Sequence, residues 1–317
     1  MKLASYSDGS RDGQLVVVSR DLTQAHYATH VATRLQAVLE DWNFLAPQLQ
    51  DLYDSLNAGR CRQAFAFDPE RCMAPLPRSY HHVQACAYAD VAAAGAPQRL
   101  ASTVQAGDGL WGPHAVVAPA HAALGLDFEA QWGVITSDVP VAASPERALD
   151  AVRLVVLCQS MVLRSGDGGE QEARLGTACA PVAMTPDELG PQWERGRLQA
   201  SLVTHWNGRK LGMSDTAVDM VWPLGKVISQ LVAWRPLSTG SLVTLGPVRN
   251  LGEGAPGAQR PKGFHALADK RALELAQDGQ ATTTFLQAGD DVSSELRGRD
   301  GASLCGTVRC EVAASPD

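Results

Sequence analysis

Apolar and polar residues alternate most regularly over residues 125–139, where Phe128, Ala130, Trp132 and Val134 mark a buried strand that runs into a polar turn. The period of two places Glu129 and Gln131 together on one face, about 7 Å apart along the strand. Near the start, residues 2–6 and 14–19 flank an Asp/Gly turn at 8–13 and predict a hairpin. Leu35, Val38, Leu39 and Trp42 follow helical spacing. Pro47 then opens a second helix carrying Leu49, Leu52, Tyr53 and Leu56, which Gly59 stops. Residues 1–72 are therefore expected to form a small α+β cap, and the proline-rich run from Pro75 to Tyr80 marks the crossing into a main domain of residues 73–317. That domain reads as mostly short strands and turns. Its expected helices are 145–152 with Ser144 as N-cap, a segment from about Leu224 to Val232, and a short one at 271–278. Residues 241–245 read as a strand, and 291–296 with 303–312 as a closing hairpin. The Gly/Pro-rich residues 252–261 predict a surface loop, and no internal repeat occurs.

At 317 residues and 45% apolar content, the chain is long enough for one large domain, or for a small domain beside a larger one. A net charge of -7 and the lack of any basic run argue against a nucleic-acid binder. The longest apolar stretches, such as 154–158 and 242–245, are far too short to span a bilayer. The N-terminal segment lacks the continuous apolar region of a signal peptide, so the expectation is a soluble cytoplasmic protein. Seven cysteines (61, 72, 86, 158, 179, 305 and 310) show no C-x-x-C and no Cys/His pair at zinc-ligand spacing, and read as reduced, mostly buried thiols.

The candidate chemistry is sparse. Oxygen-bearing side chains at i and i+2 on one strand face share a hard cation when both are carboxylates, and here the second is an amide. His81 and His82 point to opposite faces of an extended chain, so at most one of them faces a site. The other histidines form no H-x-x-H or H-E-x-x-H pattern, although His265 lies four residues before Asp269. No G-x-S-x-G elbow is present, and Gly-Asp-Gly-Gly at 166–169 reads as a turn rather than a phosphate cradle.

Several motifs recur in a specific order: Met1-Lys-Leu-Ala-Ser-Tyr6, Leu45-Ala-Pro-Gln-Leu49, Ala74-Pro-Leu-Pro-Arg-Ser-Tyr80, Gly125-Leu-Asp-Phe-Glu129, Pro181-Val-Ala-Met-Thr-Pro-Asp-Glu-Leu-Gly190, Trp206-Asn-Gly-Arg-Lys210 and Lys262-Gly-Phe264. Together they resemble the fumarylacetoacetate hydrolase family over most of the chain, in particular its bacterial branch with a helical N-terminal cap. The resemblance implies an α+β fold, a mixed β-roll with a small N-terminal α+β cap, usually dimeric. It also implies metal-assisted cleavage of a carbon–carbon bond in a 1,3-dicarbonyl or acylpyruvate, or decarboxylation and isomerisation of related acids. In that chemistry a divalent ion polarises the enolisable carbonyl, a His/Glu pair activates water and a lysine steadies the oxyanion.

Set against this pattern, the chain has lost most of those parts. The family's D-[FY]-E-x-E strand keeps Glu129 but carries Gln131. The N-D-x-S-x-R segment appears as Gln159-Ser-Met-Val-Leu-Arg164, so Ser160 replaces a ligand aspartate while Arg164 stays. Arg174 stands for the lysine of the K-P-x-[ST] turn, after a shortened 165–173 segment. Residues 89–95 offer no histidine in register, Pro247 replaces a substrate-binding threonine, and the late glutamate is shortened to Asp269. Glu129 is left as the anionic ligand, aided at most by Asp108. Cys158 and Cys179 lie in segments that reach the family's pocket.

These losses predict no metal ligands and no cofactor, with a small-molecule substrate held by protein charge instead. Glu129, Arg164, Arg174 and Asp269 are the expected catalytic residues. Arg78, Tyr80, His82, Trp111, Gln131, Ser160 and Lys270 are the expected substrate-binding residues. The leading expectation is a repurposed enzyme acting without metal on a 1,3-dicarbonyl or polyketide-like molecule, by cyclisation, tautomerisation or a C–C lyase step. The alternatives are a catalytically inactive binding or scaffold homologue, in which Glu129 simply pairs with Arg164, and a metal-dependent C–C hydrolase of acylpyruvate type. A homodimer is expected, with no nucleic-acid or membrane partner.

Overall fold

A computed structural model describes residues 1–89, 99–118, 124–165, 170–253 and 261–314, with 170–172 as backbone only. Most of segment 89–95, the Gly-Asp-Gly-Gly turn and most of loop 252–261 lie outside the described residues. The predicted hairpin is formed by β1 (Lys2–Tyr6) and β2 (Gln14–Val18), in register from Lys2↔Val18 to Tyr6↔Gln14. β3 (Gln24–Tyr27) follows, then helices α1 (Leu35–Glu40) and α2 (Trp42–Asn57), and β4 (Phe65–Ala66). The second helix begins at Trp42 and carries Pro47 inside it. Ala46, Leu49, Tyr53 and Leu56 keep one buried face across the proline, and that packing carries the helix through the missing hydrogen bond.

Next come β5 (His81–Ala85), β6 (Ser102–Gln105), β7 (His114–Val117) and β8 (Gly125–Thr136). Helix α3 (Pro145–Asp150) starts where the Ser144 hydroxyl accepts the Arg147 N–H, as its N-cap predicts. β9 (Val152–Ser165) and β10 (Glu170–Cys179) form a long hairpin, followed by β11 (Ala183–Met184), β12 (Trp193–Glu194) and β13 (Arg197–Leu198). β14 (Ser201–Trp206), β15 (Arg209–Asp215), α4 (Leu224–Leu231), β16 (Ser241–Thr244), α5 (Leu267–Asp278), β17 (Asp291–Arg297) and β18 (Ser303–Val312) complete the chain. β8 runs 12 residues within the 125–139 stretch read as a strand, while β9 runs 14, longer than the short strands expected of this domain, because burial of both its faces masks the alternation that marks a strand's length.

The elements form one eleven-stranded sheet in the order β4-β3-β2-β1-β11-β9-β8-β16-β5-β6, with β10 also on β9, and a five-stranded sheet β15-β14-β17-β18-β7. Pairings are antiparallel except β16 with β5 and β18 with β7. This is the α+β, mixed-sheet architecture expected from the sequence. One face of the large sheet (Phe128, Trp132, Leu157, Met161) packs on the small sheet (Leu202, Val292, Leu296, Val308). On its other face, Leu3, Leu15, Val17 and Leu154 pack against α1 and α2 through Leu35, Leu39, Leu49 and Tyr53. Among the described residues, no helix is long and apolar enough to cross a membrane.

Candidate active site

Alternation on β8 builds the site. The even-numbered Phe128, Ala130, Trp132 and Val134 fill the core between the sheets, which sends Asp127, Glu129 and Gln131 to the opposite face. Register brings the rest. Ser160 of β9 lies directly opposite Glu129, and Thr177 of β10 directly opposite Ser160. On the far side, β16 ends at Thr244, in register with Gln84 of β5.

Glu129 is buried, and both its oxygens are taken. Arg164 donates to Oε1 at 2.7 Å, while Arg174 and Gln84 donate to Oε2 at 2.9 and 2.8 Å. The two amides beside it have fixed orientations, because each end of their chain meets a group with a single role. The Gly246 N–H donates to Gln131 Oε1 at 2.8 Å, so Gln131 Nε2 faces Gln84 Oε1 at 2.9 Å and Ser160 Oγ at 3.0 Å. Gln84 Nε2 then meets the Glu129 carboxylate. Ser160 closes the row against the Thr177 hydroxyl at 2.9 Å.

Burial alone would push the Glu129 carboxyl up. The Arg174 and Arg164 guanidiniums, with the Gln84 amide, outweigh it and hold the group down at about 2. For Asp127 burial wins, and its carboxyl rises to about 6 although Arg164 donates to it at 3.1 Å and three backbone N–H groups point at it. His82, buried on the face of Gln84 and 3.3 Å from the Thr244 hydroxyl, is driven down to about 4 by burial and by the nearby Arg174 charge.

The structure thus brings together Glu129, Gln131, Ser160, Arg164, Arg174 and His82. Trp111 adjoins them, its backbone pairing with Thr177 and Cys179 and its ring lying on Gly176. Asp269 is held by Arg249 through two bonds of 2.8 Å. Lys270 binds Glu274 and Thr283 on and beside its own helix. Arg78 pairs with Asp12, and the exposed Tyr80 donates to Glu40, so neither joins the cluster around Glu129. Cys158 and Cys179 face each other with their sulfurs 3.6 Å apart, both buried beneath Ser160 and Thr177.

Residues 1–78 match the family described as fumarylacetoacetase N-terminal domain 2, and residues 78–313 match the fumarylacetoacetate (FAA) hydrolase C-terminal family. The chain belongs to the fumarylacetoacetate hydrolase family. Among solved structures, maleylpyruvate hydrolase from Sphingobium sp. SYK-6 in complex with manganese(II) and pyruvate is 15% identical, with 100% of each chain covered and a TM-score of 0.68. The fumarylacetoacetate hydrolase of Exiguobacterium antarcticum is 18% identical over 99% of each chain, TM-score 0.65. The 5-carboxymethyl-2-hydroxymuconate delta-isomerase of Mycobacterium smegmatis is 16% identical over 100% of each chain, TM-score 0.60. At these identities the likeness is one of fold. A comparison with curated proteins returns no match.

In this family member the donor set does not fit a divalent ion. The Glu129 oxygens already serve two cations and an amide, and Asp127 on the same strand face is held by Arg164 and three backbone N–H groups. The carbonyl oxygens of Gln84 and Gln131 are turned to N–H donors rather than toward a shared centre. Hard-cation affinity depends on the number and charge of oxygens aimed inward, and here that count is low. Among the described residues, no three His, Cys, Asp or Glu side chains stand close enough to hold a metal. Sequence reasoning missed four participants. Gln84 carried a weak signal, lying two residues from His82 on an alternating strand. Asp127 was spelled out in the strand motif without a role. Thr177 filled the last position of the K-P-x-[ST] turn without being given a role, and Arg249 gave no signal, since its partner Asp269 lies on α5.

Proposed function

We propose that this family member works without a divalent ion on a small anionic molecule of the 1,3-dicarbonyl or polyketide-like class, by cyclisation, tautomerisation or a C–C lyase step. The observation that carries the reading is the pair of guanidiniums on the two oxygens of Glu129. Arginine stays charged at any relevant pH and presents a planar, two-pronged donor set suited to a carboxylate or an enolate. Arg164 and Arg174 supply the positive field, Glu129 orients them, and His82, neutral at pH 7, offers the substrate a hydrogen bond without adding charge. A homodimer belongs to the same reading, and a stable 33.6 kDa monomer in light scattering at micromolar concentration would contradict that part.

The decisive experiment combines elemental analysis of dialysed protein with calorimetry and turnover on acylpyruvate probes. No stoichiometric Mg²⁺, Mn²⁺ or Ca²⁺ is expected. Arg164→Met and Arg174→Met are each expected to weaken probe binding about tenfold or more, the worth of a charge-assisted hydrogen bond. One ion per chain, or unchanged binding in both folded variants, overturns the reading. A second reading is favoured by one specific observation: each charged group around Glu129 is answered within the chain, as in a purely structural network. A catalytically inactive binding homologue then predicts no turnover of any probe by the wild-type protein.

A further inference from the structure

A second site lies away from Glu129, where edge strand β6 meets helix α4. Arg99, Leu100, Ser102, Trp222, Gln230 and Leu231 line a cavity of about 310 Å³ there. Ser102 stands opposite Ala85 in the β5–β6 register, and Ala85 belongs to the core between the two sheets. The cavity therefore opens on the face of the sheet that Gln84, the neighbour of Ala85, turns its back to.

Among the described residues, the lining is rich in donors and holds no carboxylate. A guanidinium and an indole N–H can only donate; a serine hydroxyl and a glutamine amide can also do so. Arg99 is exposed and has no ion-pair partner among the described residues. Trp222 Nε1 is buried and has no acceptor among them, although an indole N–H at such depth usually finds one. The Trp222 backbone is anchored by donation to the Ala87 carbonyl at 3.0 Å, and its side chain packs on the central core, so the ring is fixed. Arg99, the one cation among the described lining residues, makes a negatively charged occupant the best fit. Leu100 and Leu231 give the same space an apolar wall. The volume is at the lower end for small-molecule pockets, which limits the occupant to a compact body.

We propose that this cavity binds a compact organic carboxylate, its oxygens on Arg99 and the neighbouring donors and its apolar part against Leu100 and Leu231. A net charge of -7 on the chain disfavours non-specific anion uptake, and loss of saturable binding in the Arg99 and Gln230 variants assigns it to this cavity rather than to the Arg164–Arg174 pair. Inorganic phosphate shares the oxyanion chemistry but has no apolar part, and that difference separates the two.

The test is calorimetry on the full chain with acetate, butyrate, hexanoate and inorganic phosphate. Saturable binding is expected in the millimolar range or below, tightening from acetate to hexanoate, with phosphate weaker than hexanoate. Arg99→Gln and Gln230→Glu both change exposed side chains; the first removes the cation and the second adds a like charge. Each is expected to cut hexanoate affinity about tenfold, the worth of one charge-assisted contact, while the melting temperature holds. Absence of saturable binding, binding of phosphate alone, or affinity unchanged in both variants overturns the proposal. None of these residues touches the Glu129 cluster, so this outcome is independent of the function proposed for that cluster.

Discussion

Gln131 has its orientation set by what cannot turn. The Gly246 N–H has only a proton to give, and the Glu129 carboxylate at the other end of the amide chain only lone pairs. Replacing Gln131 by Glu removes the donor used by Gln84 and Ser160 and sets a second negative charge near Glu129. Gln131→Glu alone is expected to lower stability by about 1–3 kcal/mol in urea unfolding, the usual penalty for unsatisfied buried groups. An unchanged midpoint would mean that the amide chain is not holding this face. Adding Ser160→Asp gathers three carboxylates, and the double variant is expected to bind Mn²⁺ in calorimetry without gaining fumarylacetoacetate cleavage. Efficient cleavage by it would show that the missing base had been misplaced. The Glu129–Arg164 pair was readable beforehand, because one motif spells the strand of the acid and another that of the base. Gln84 was not. A glutamine in a strand announces nothing, and its part in the site exists only because β16 ends at Thr244, between β5 and β8.

Elements were legible where their signals are local. Ser144 marks the start of α3, and Gly59 follows the end of α2. The start of α5 was misplaced by four residues for a non-local reason. Its first N–H groups, on Leu267 and Ala268, donate to the carboxylate of Asp127 at 2.7 and 3.0 Å, so the cap sits on β8, 140 residues away. No window along the sequence sees such a cap. The β9–β10 hairpin gives a sharper test. A Cβ at Gly176 would fall 2.1 Å from the Trp111 ring, so the ring and the strand fit only without a side chain there. Gly176→Ala is expected to displace Trp111, shift the tryptophan emission, and cost about 1–3 kcal/mol as other overpacking does. Wild-type fluorescence and stability together would show that the ring does not rest on this strand.

At the scale of the molecule, the order of motifs gave the family and the mixed-sheet architecture, while the histidine loop that would bear most on chemistry falls among residues 90–98, outside the described chain. Buried titratable groups make stability depend on pH in a definite direction. His82 and His265 are held at about 4 and about 3 by burial, the Arg174 charge adding to it for His82, against an ordinary 6.5. As pH falls below 6.5 the unfolded chain takes up protons that these two cannot, so stability drops. Asp127, raised to about 6 from 3.8, acts oppositely between those two values and offsets about one of the two histidines. Glu129 withdraws its support only below 4.5, toward 2. A fall of about 1–1.5 kcal/mol per pH unit is therefore expected between pH 6.5 and 5, measured by urea unfolding. His82→Gln should flatten that slope, and a slope identical to wild type would show that His82 is not kept neutral in the fold. The closed set of partners around Glu129 also has a bearing on descent. Each single exchange back toward a carboxylate sets an unpaired charge among groups already satisfied, before an ion-binding shell exists to repay it. A lineage that reaches this arrangement meets a valley behind it, and its later substitutions are channelled toward chemistry that arginine and amide can do.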